Sequence, residues 1–177
     1  ISTLCVAQES QAQTPDIGQK APAFSLSTPD GKPLSLTELA ARGQVVLVVL
    51  RGYPGYQCPY CMRQVHDFVE DADKFAAMGA QVLFVYPGPP ADLDQHAKEF
   101  LTKQNPLPVG VHLVIDPEYK FTNQYGLRWD APHETAYPST FLIDRHGMIF
   151  YRKISKEHGD RTTPADILTE LQRAGKQ

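Results

Sequence analysis

At 177 residues with 42% apolar side chains, the chain is long enough to bury a core of its own without a disulfide framework. Its three cysteines are too few to build one, and a net charge of -3 with both signs mixed gives no electrostatic basis for a nucleic-acid partner. No stretch is apolar over the length needed to span a bilayer.

Residues 1–15 read as a flexible N-terminal segment. Ile1 to Ala7 are mildly apolar and run into the Gln/Ser-rich stretch Gln8 to Gln13. Cys5-Val6-Ala7 puts small side chains at the two positions a signal peptidase reads, the pattern of a signal-peptide remnant, so the expected location is periplasmic or secreted, with cytoplasmic as the alternative. Cys5 falls outside the expected fold, and Ser2 occupies the place where a lipid-anchored cysteine needs Leu.

A single domain is expected over residues 16–177. Ala23 to Ser27 and Leu34 to Leu36 alternate around the turn signal Thr28-Pro29-Asp30-Gly31, which predicts a β-hairpin. Thr37 is placed to cap a short helix through Ala41 that Gly43 stops. Val45 to Leu50 is apolar without alternation and β-branched, the pattern of a strand covered on both faces, and is expected to be the central strand. Beyond the next loop, Cys61, Val65, Phe68, Val69, Ala72 and Phe75 recur at helical spacing and predict one amphipathic helix ending near Gly79. Gln81 to Tyr86 is a second buried strand, Asp92 to Gln104 a helix, Val111 to Ile115 a third strand, and Tyr119 to Tyr125 a short helix stopped by Gly126. Arg128 to Tyr137 reads as a loop, Thr140 to Ile143 and Met148 to Ile154 as a hairpin, and Pro164 to Ala174 as a closing helix. Strands and helices alternating between two hairpins imply an α/β fold: one central mixed β-sheet flanked by helices, with an N-terminal β-hairpin extension.

The stretch RGYPGYQCPYCMRQ, Arg51 to Gln64, carries the chemistry. Cys58 stands between a strand and a helix, where unpaired backbone N–H groups and the positive end of the helix dipole favour thiolate over thiol. Pro59 suits the first helical position because it has no N–H to leave unsatisfied, and Cys61 follows on the first turn, close enough for a disulfide. Arg51 and Arg63 add positive charge nearby. A disulfide across two residues removes little chain entropy, so the spacing favours a pair that cycles over one that staples. Three other uses compete: half of a zinc site, for which no second pair exists and His66 alone does not suffice; a structural disulfide; and inert buried thiols. His96, His112, His133, His146 and His158 fall into no ligand spacing, so no metal is expected and no cofactor is assigned.

From Gly18 to about Ala174 the chain resembles the thioredoxin superfamily, in its peroxiredoxin-like, AhpC/TSA branch. The likeness is carried by Gly18 to Leu26 (GQKAPAFSL), the Pro29-Asp30-Gly31 turn, and Thr140 to Asp144 followed by Gly147. The family's Pro-x-x-x-Thr-x-x-Cys frame falls on Pro54, Cys58 and Cys61, so the resemblance aligns Cys61 with the peroxidatic cysteine and puts Cys58 in place of the threonine. The same pair aligns with the redox pair of thioredoxins, whose first cysteine is the nucleophile. The threonine and a later arginine that help the family hold peroxide are missing from their places. Pro138 stands where the arginine is expected and resembles the cis-proline that thioredoxins set beside their cysteines. The Tyr137–Pro138 bond is therefore expected to be cis, with its backbone free to pair with a docked substrate segment. Gln57 replaces the thioredoxin Trp, and the Pro-Tyr spacer is that of glutaredoxins, which implies a potential less reducing than thioredoxin's.

The expected activity is thiol–disulfide exchange, Cys58 attacking and Cys61 resolving, on a protein or small-molecule disulfide or dithiol and served by a thiol electron donor. One alternative is a thiol peroxidase with Cys61 as the peroxidatic sulfur, in which Arg128 or Arg63 replaces the missing arginine. The other is a redox-inert module that holds a partner in a cleft around Pro138, Trp129 and Tyr56.

Overall fold

The computed structural model describes residues 12–176, so Cys5 and the signal-peptide pattern lie outside the described residues. The hairpin forms from β1 (Ser25–Ser27) and β2 (Pro33–Ser35), and α1 (Leu36–Arg42) follows directly. Its cap is Ser35 and not Thr37. The Ser35 hydroxyl accepts the Glu38 N–H at 3.1 Å while the Glu38 carboxylate accepts the Ser35 N–H at 3.5 Å, a reciprocal pair that satisfies two donors at once. Ser35→Ala is therefore expected to cost about 1 kcal/mol in urea unfolding and Thr37→Ala distinctly less; equal losses would return the cap to Thr37.

The rest of the domain runs β3 (Gln44–Val49), α2 (Pro59–Glu70), α3 (Ala72–Ala77), β4 (Ala80–Gly88), α4 (Leu93–Thr102), β5 (Val111–Pro117), α5 (Lys120–Gln124), β6 (Ser139–Ile143), β7 (Ile149–Ile154) and α6 (Pro164–Ala174). The seven strands lie in the order β2-β1-β5-β4-β3-β6-β7. β3, β4 and β5 are parallel, and the two hairpins pair antiparallel on either side of them. The middle position belongs to β4, with β3 beside it between β4 and β6. The single helix expected over 61–79 is two, α2 and α3, separated at Asp71. Apolar spacing carries across a one-residue break unchanged, so periodicity alone does not register it.

The unalternating run of β3 reflects helices on both faces of the sheet. Val46 and Val48 face a core with Val65 and Phe68 of α2, Phe75 of α3, Phe100 of α4 and Ile167 and Leu171 of α6. Val45, Leu47 and Val49 face the other, with Leu36 and Leu39 of α1 and Phe121 of α5. Cys58 and Cys61 belong to the first core, so the pair is packed into the domain and not hung on its surface. Ahead of the hairpin, Thr14 and Pro15 already touch the domain: the Thr14 hydroxyl donates to Gly126 O at 3.1 Å and Arg152 donates to Pro15 O at 2.9 Å. Among the described residues, no helix is long and apolar enough to cross a membrane.

Candidate active site

β3 and β4 are parallel, β4 runs on past the last pair Val49–Val85 to Gly88, and the segment leaving β3 is stitched to that overhang. Leu50 N–H donates to Val85 O at 3.0 Å and Tyr53 N–H to Pro87 O at 2.9 Å. Between them Gly52 has φ +65°, and a Cβ there would stand 2.0 Å from Pro87 O, so the close approach requires glycine. The far end of the loop is fixed by Gln57, which donates to His96 O at 2.8 Å and accepts from the Tyr86 hydroxyl at 2.7 Å. Cys58 is thereby delivered as the N-cap of α2, with Pro59 in the first turn.

Both cysteines are reduced and fully buried. Cys58 Sγ accepts the Cys61 N–H at 3.4 Å, and the first turn of α2 holds no acidic residue, so the sulfur is the site where negative charge meets the helix dipole. The Cys58 thiol is pulled down from its ordinary 9.0 to about 5, first by the hydrogen bond from the Cys61 thiol, then by the Cys61 N–H, the charge of Arg161 and a hydrogen bond from Arg51, against the opposing cost of burial. Cys61 moves the other way: burial and the adjacent Cys58 thiolate push it well above its ordinary value, although Arg161 pulls against them. The two shifts run in opposite directions, Cys58 toward the thiolate and Cys61 toward the thiol.

That assignment has a pH consequence. Between about 5 and 9.0, folding releases the Cys58 proton that the unfolded chain still holds, so reduced-state stability rises with pH through this window and is lost as pH falls through 5. Urea unfolding of the reduced protein is expected to show this rise, and Cys58→Ser to flatten it. Parallel curves for the two proteins would move the low-pKa thiolate away from Cys58.

The arginine on the sulfurs is one that sequence reasoning missed. Arg161, from the segment between β7 and α6, reaches Cys61 Sγ at 3.4 Å and Cys58 Sγ at 3.8 Å. It is held in turn by Gln64 Oε1 at 3.1 Å and His158 O at 2.6 Å, and Gln64 donates to Thr162 O at 3.1 Å. Gln64 lies three residues beyond Cys61, and a polar residue on the buried stripe of α2 was the available signal for it. Arg161 is 100 positions from Cys61, and no spacing relates the two.

The residues proposed for that arginine's place lie elsewhere. Arg128 donates to Glu134 O at 3.0 Å and Thr135 O at 2.7 Å and stacks 4.0 Å from the Tyr119 ring, so it ties its own loop together. Arg63 is exposed on α2 while the sulfurs are buried. Arg51 does belong to the site: its side chain is 2% exposed, ion-paired to Glu134 at 3.1 Å and bonded to the Tyr56 hydroxyl at 3.2 Å. Pro54 is half-buried in the loop between Gly52 and Cys58.

The expected cis bond before Pro138 is not present, since no peptide bond among the described residues is cis. The physical reason lies in the hydrogen bonding. Tyr137 N–H donates to Leu127 O at 2.9 Å and Pro138 O accepts the Ser155 N–H at 2.8 Å, so the segment enters β6 as extended chain. The backbone groups expected to receive a substrate are already paired. Of the aromatic cleft expected around Pro138, Trp129 and Tyr56, Trp129 stacks on Tyr137 at 4.9 Å, Lys156 lies 4.0 Å from the Tyr137 ring, and Tyr56 is exposed.

The sequence profile of the AhpC/TSA family matches residues 17–152. Peroxiredoxin Bcp of Bacillus subtilis is 29% identical over 153 residues, covering 82% of this chain and 90% of that protein. A chloroplastic peroxiredoxin Q of Populus jackii is 29% identical over 132 residues, 75% of this chain, which spans 57% of its length. In fold, a yeast mitochondrial 1-Cys peroxiredoxin superposes with a TM-score of 0.73 at 17% identity, covering 92% of this chain and 79% of the other. With the match running from before the first hairpin, through the cysteine-bearing loop and into β7, the chain belongs to the AhpC/TSA family.

Proposed function

We propose that this thiol-dependent oxidoreductase works by disulfide exchange through a redox-active Cys58–Cys61 pair. The carrying observation is the placement of Cys58 Sγ at the N-cap of α2, accepting the Cys61 N–H with Arg161 at 3.8 Å, an arrangement that favours thiolate at Cys58 and thiol at the buried Cys61. Cys58 attacks one sulfur of a substrate disulfide, forming a mixed disulfide and expelling one substrate thiolate. Cys61 then gives up its proton and attacks Cys58 Sγ, which forms the Cys58–Cys61 disulfide and releases the second thiolate. A dithiol donor returns two electrons and two protons to the pair.

A peroxidase reading has its own support in the family and in the Arg161 contact on Cys61 Sγ. In that cycle the thiolate attacks a peroxide oxygen, the other oxygen leaves as water or alcohol, and the sulfenic acid condenses with the second thiol to give disulfide and water. The partners on either reading are a thiol reductant and a disulfide or peroxide. A redox-inert role draws no support from a site whose geometry activates one thiol. The small residues Cys5 and Ala7 support a periplasmic or secreted setting, where such a pair would meet protein disulfides.

Following the thiols of reduced protein against hydrogen peroxide and, separately, oxidised glutathione decides between the cycles. Faster loss with the disulfide is the expected result. Faster loss with peroxide would make the protein a peroxidase, and no loss with either would remove enzymatic function from the pair.

A further inference from the structure

Arg161 belongs to residues 155–163, which form neither helix nor strand. Its Nε donates to the carbonyl of His158, so the placing of the guanidinium follows the backbone at His158. His158 is itself tethered: Nε2 donates to Glu134 Oε1 at 2.7 Å. The other oxygen of that carboxylate accepts from Arg51 Nε at 3.2 Å and Nη2 at 3.1 Å. One carboxylate thus bridges Arg51, just past the end of β3, to the middle of the segment. The Glu134 side chain is 13% exposed, so the bridge is little weakened by water. Elsewhere the segment is held near its start by Lys156 over the Tyr137 ring, near its end by Thr162 on Gln64, and to β7 by the Lys153–Asp160 pair.

We propose that Glu134 and His158 are positioning residues for the redox pair: their contact fastens the segment between β7 and α6 to the Arg51 side chain and so holds the Arg161 guanidinium over both sulfurs. The inference rests on the reading of Cys58 and Cys61 as the redox centre. The charged and titratable groups around Cys58 are Arg51, Cys61 and Arg161, and Glu134 acts on them through Arg51 and His158. Neither Glu134 nor His158 has to touch substrate for this.

The test is the pH profile of Cys58 alkylation by iodoacetamide in the reduced protein, read by mass spectrometry of the modified peptide. His158→Phe keeps a ring against Trp129 but cannot bond Glu134. Its midpoint is expected to rise by about half a unit or more, equal to about threefold less thiolate on the acid side. His158→Gln, which restores an N–H donor to Glu134, is expected to retain the wild-type profile. Arg161→Met should raise the midpoint at least as far, and adding His158→Phe to it should shift nothing more. A His158→Phe profile that superimposes on wild type overturns the inference, as does a shift that survives in the Arg161→Met background or one that His158→Gln shares. His158→Ala carries the same expectation should the phenylalanine variant not fold. Oxidation by peroxide or oxidised glutathione is measured alongside. If neither converts the wild-type pair while the profile still shifts, the redox reading fails and the positioning role stands.

Discussion

Cys58→Ser is expected to lower disulfide reduction by about 10³-fold or more, because it removes the only sulfur of the pair that is ionised near neutral pH. A serine hydroxyl at the N-cap accepts the same helix N–H and keeps the cap, so loss of activity will not come from loss of fold. Cys61→Ser is expected to behave differently. Its first step survives, since Cys58 retains the Cys61 backbone N–H and both arginines, but the hydrogen bond from the Cys61 thiol is changed and no second sulfur resolves the adduct. With oxidised glutathione the variant should therefore stop at a stable mixed disulfide on Cys58, visible by mass spectrometry. Thiol loss that persists in Cys58→Ser and vanishes in Cys61→Ser would make Cys61 the attacking sulfur, as the peroxiredoxin frame implies.

The alignment of Cys61 with a peroxidatic cysteine and the electrostatics of the pair point to different sulfurs, and position in the helix favours Cys58 as the thiolate. Both sulfurs are buried, but the first caps α2 and accepts a helix N–H, whereas the second lies inside the first turn and faces the charge of the first. What the sequence could show was whatever is local in the chain. The apolar run of β3, the Pro59 helix start and the cysteine spacing each act within a few residues, so each was visible. The hairpin and most helix ends followed from turn and cap chemistry for the same reason. Asp71 escaped because the buried stripe passes through it, and the Ser35 cap escaped because Thr37, two residues later, is also a residue type favoured at the N-cap.

The site beyond the cysteines is a long-range assembly. Arg161, Glu134 and His158 meet Arg51 and the sulfurs only after β7 returns beside β6, and their own neighbours in sequence are ordinary polar loop residues. The expected Tyr137–Pro138 geometry failed for a related reason. Whether a proline is cis depends on which partners its flanking amides find, and here Leu127 and Ser155 supply them. An arginine was sought before Ser139, and the fold brings one to the sulfurs from the segment after β7.

Removing that arginine is expected to have two effects of opposite sign on Cys58 alkylation, separable by pH. Arg161 lies 3.8 Å from Cys58 Sγ, where an opposite charge lowers a pKa by about 1 to 3 units, and it is one of several stabilising groups, so the lower end applies. Arg161→Met should then raise the midpoint from about 5 by about one unit and slow alkylation about tenfold on the acid side. Above both midpoints the thiolate is fully formed in either protein, and the variant should react faster, because the guanidinium that spans both sulfurs no longer covers them. Arg161→Lys divides the two effects. An ammonium keeps the charge near the sulfurs but cannot bond Cys58, Cys61, Gln64 and His158 O together, as the planar fork does. It is expected to hold the midpoint within about half a unit of wild type while still reacting faster at pH 8. A lysine variant that matches methionine at both ends of the profile would show that the geometry of the fork, and not its charge, holds the thiolate. Slower alkylation at every pH in Arg161→Met would show that the arginine does not stand between the sulfurs and their substrate.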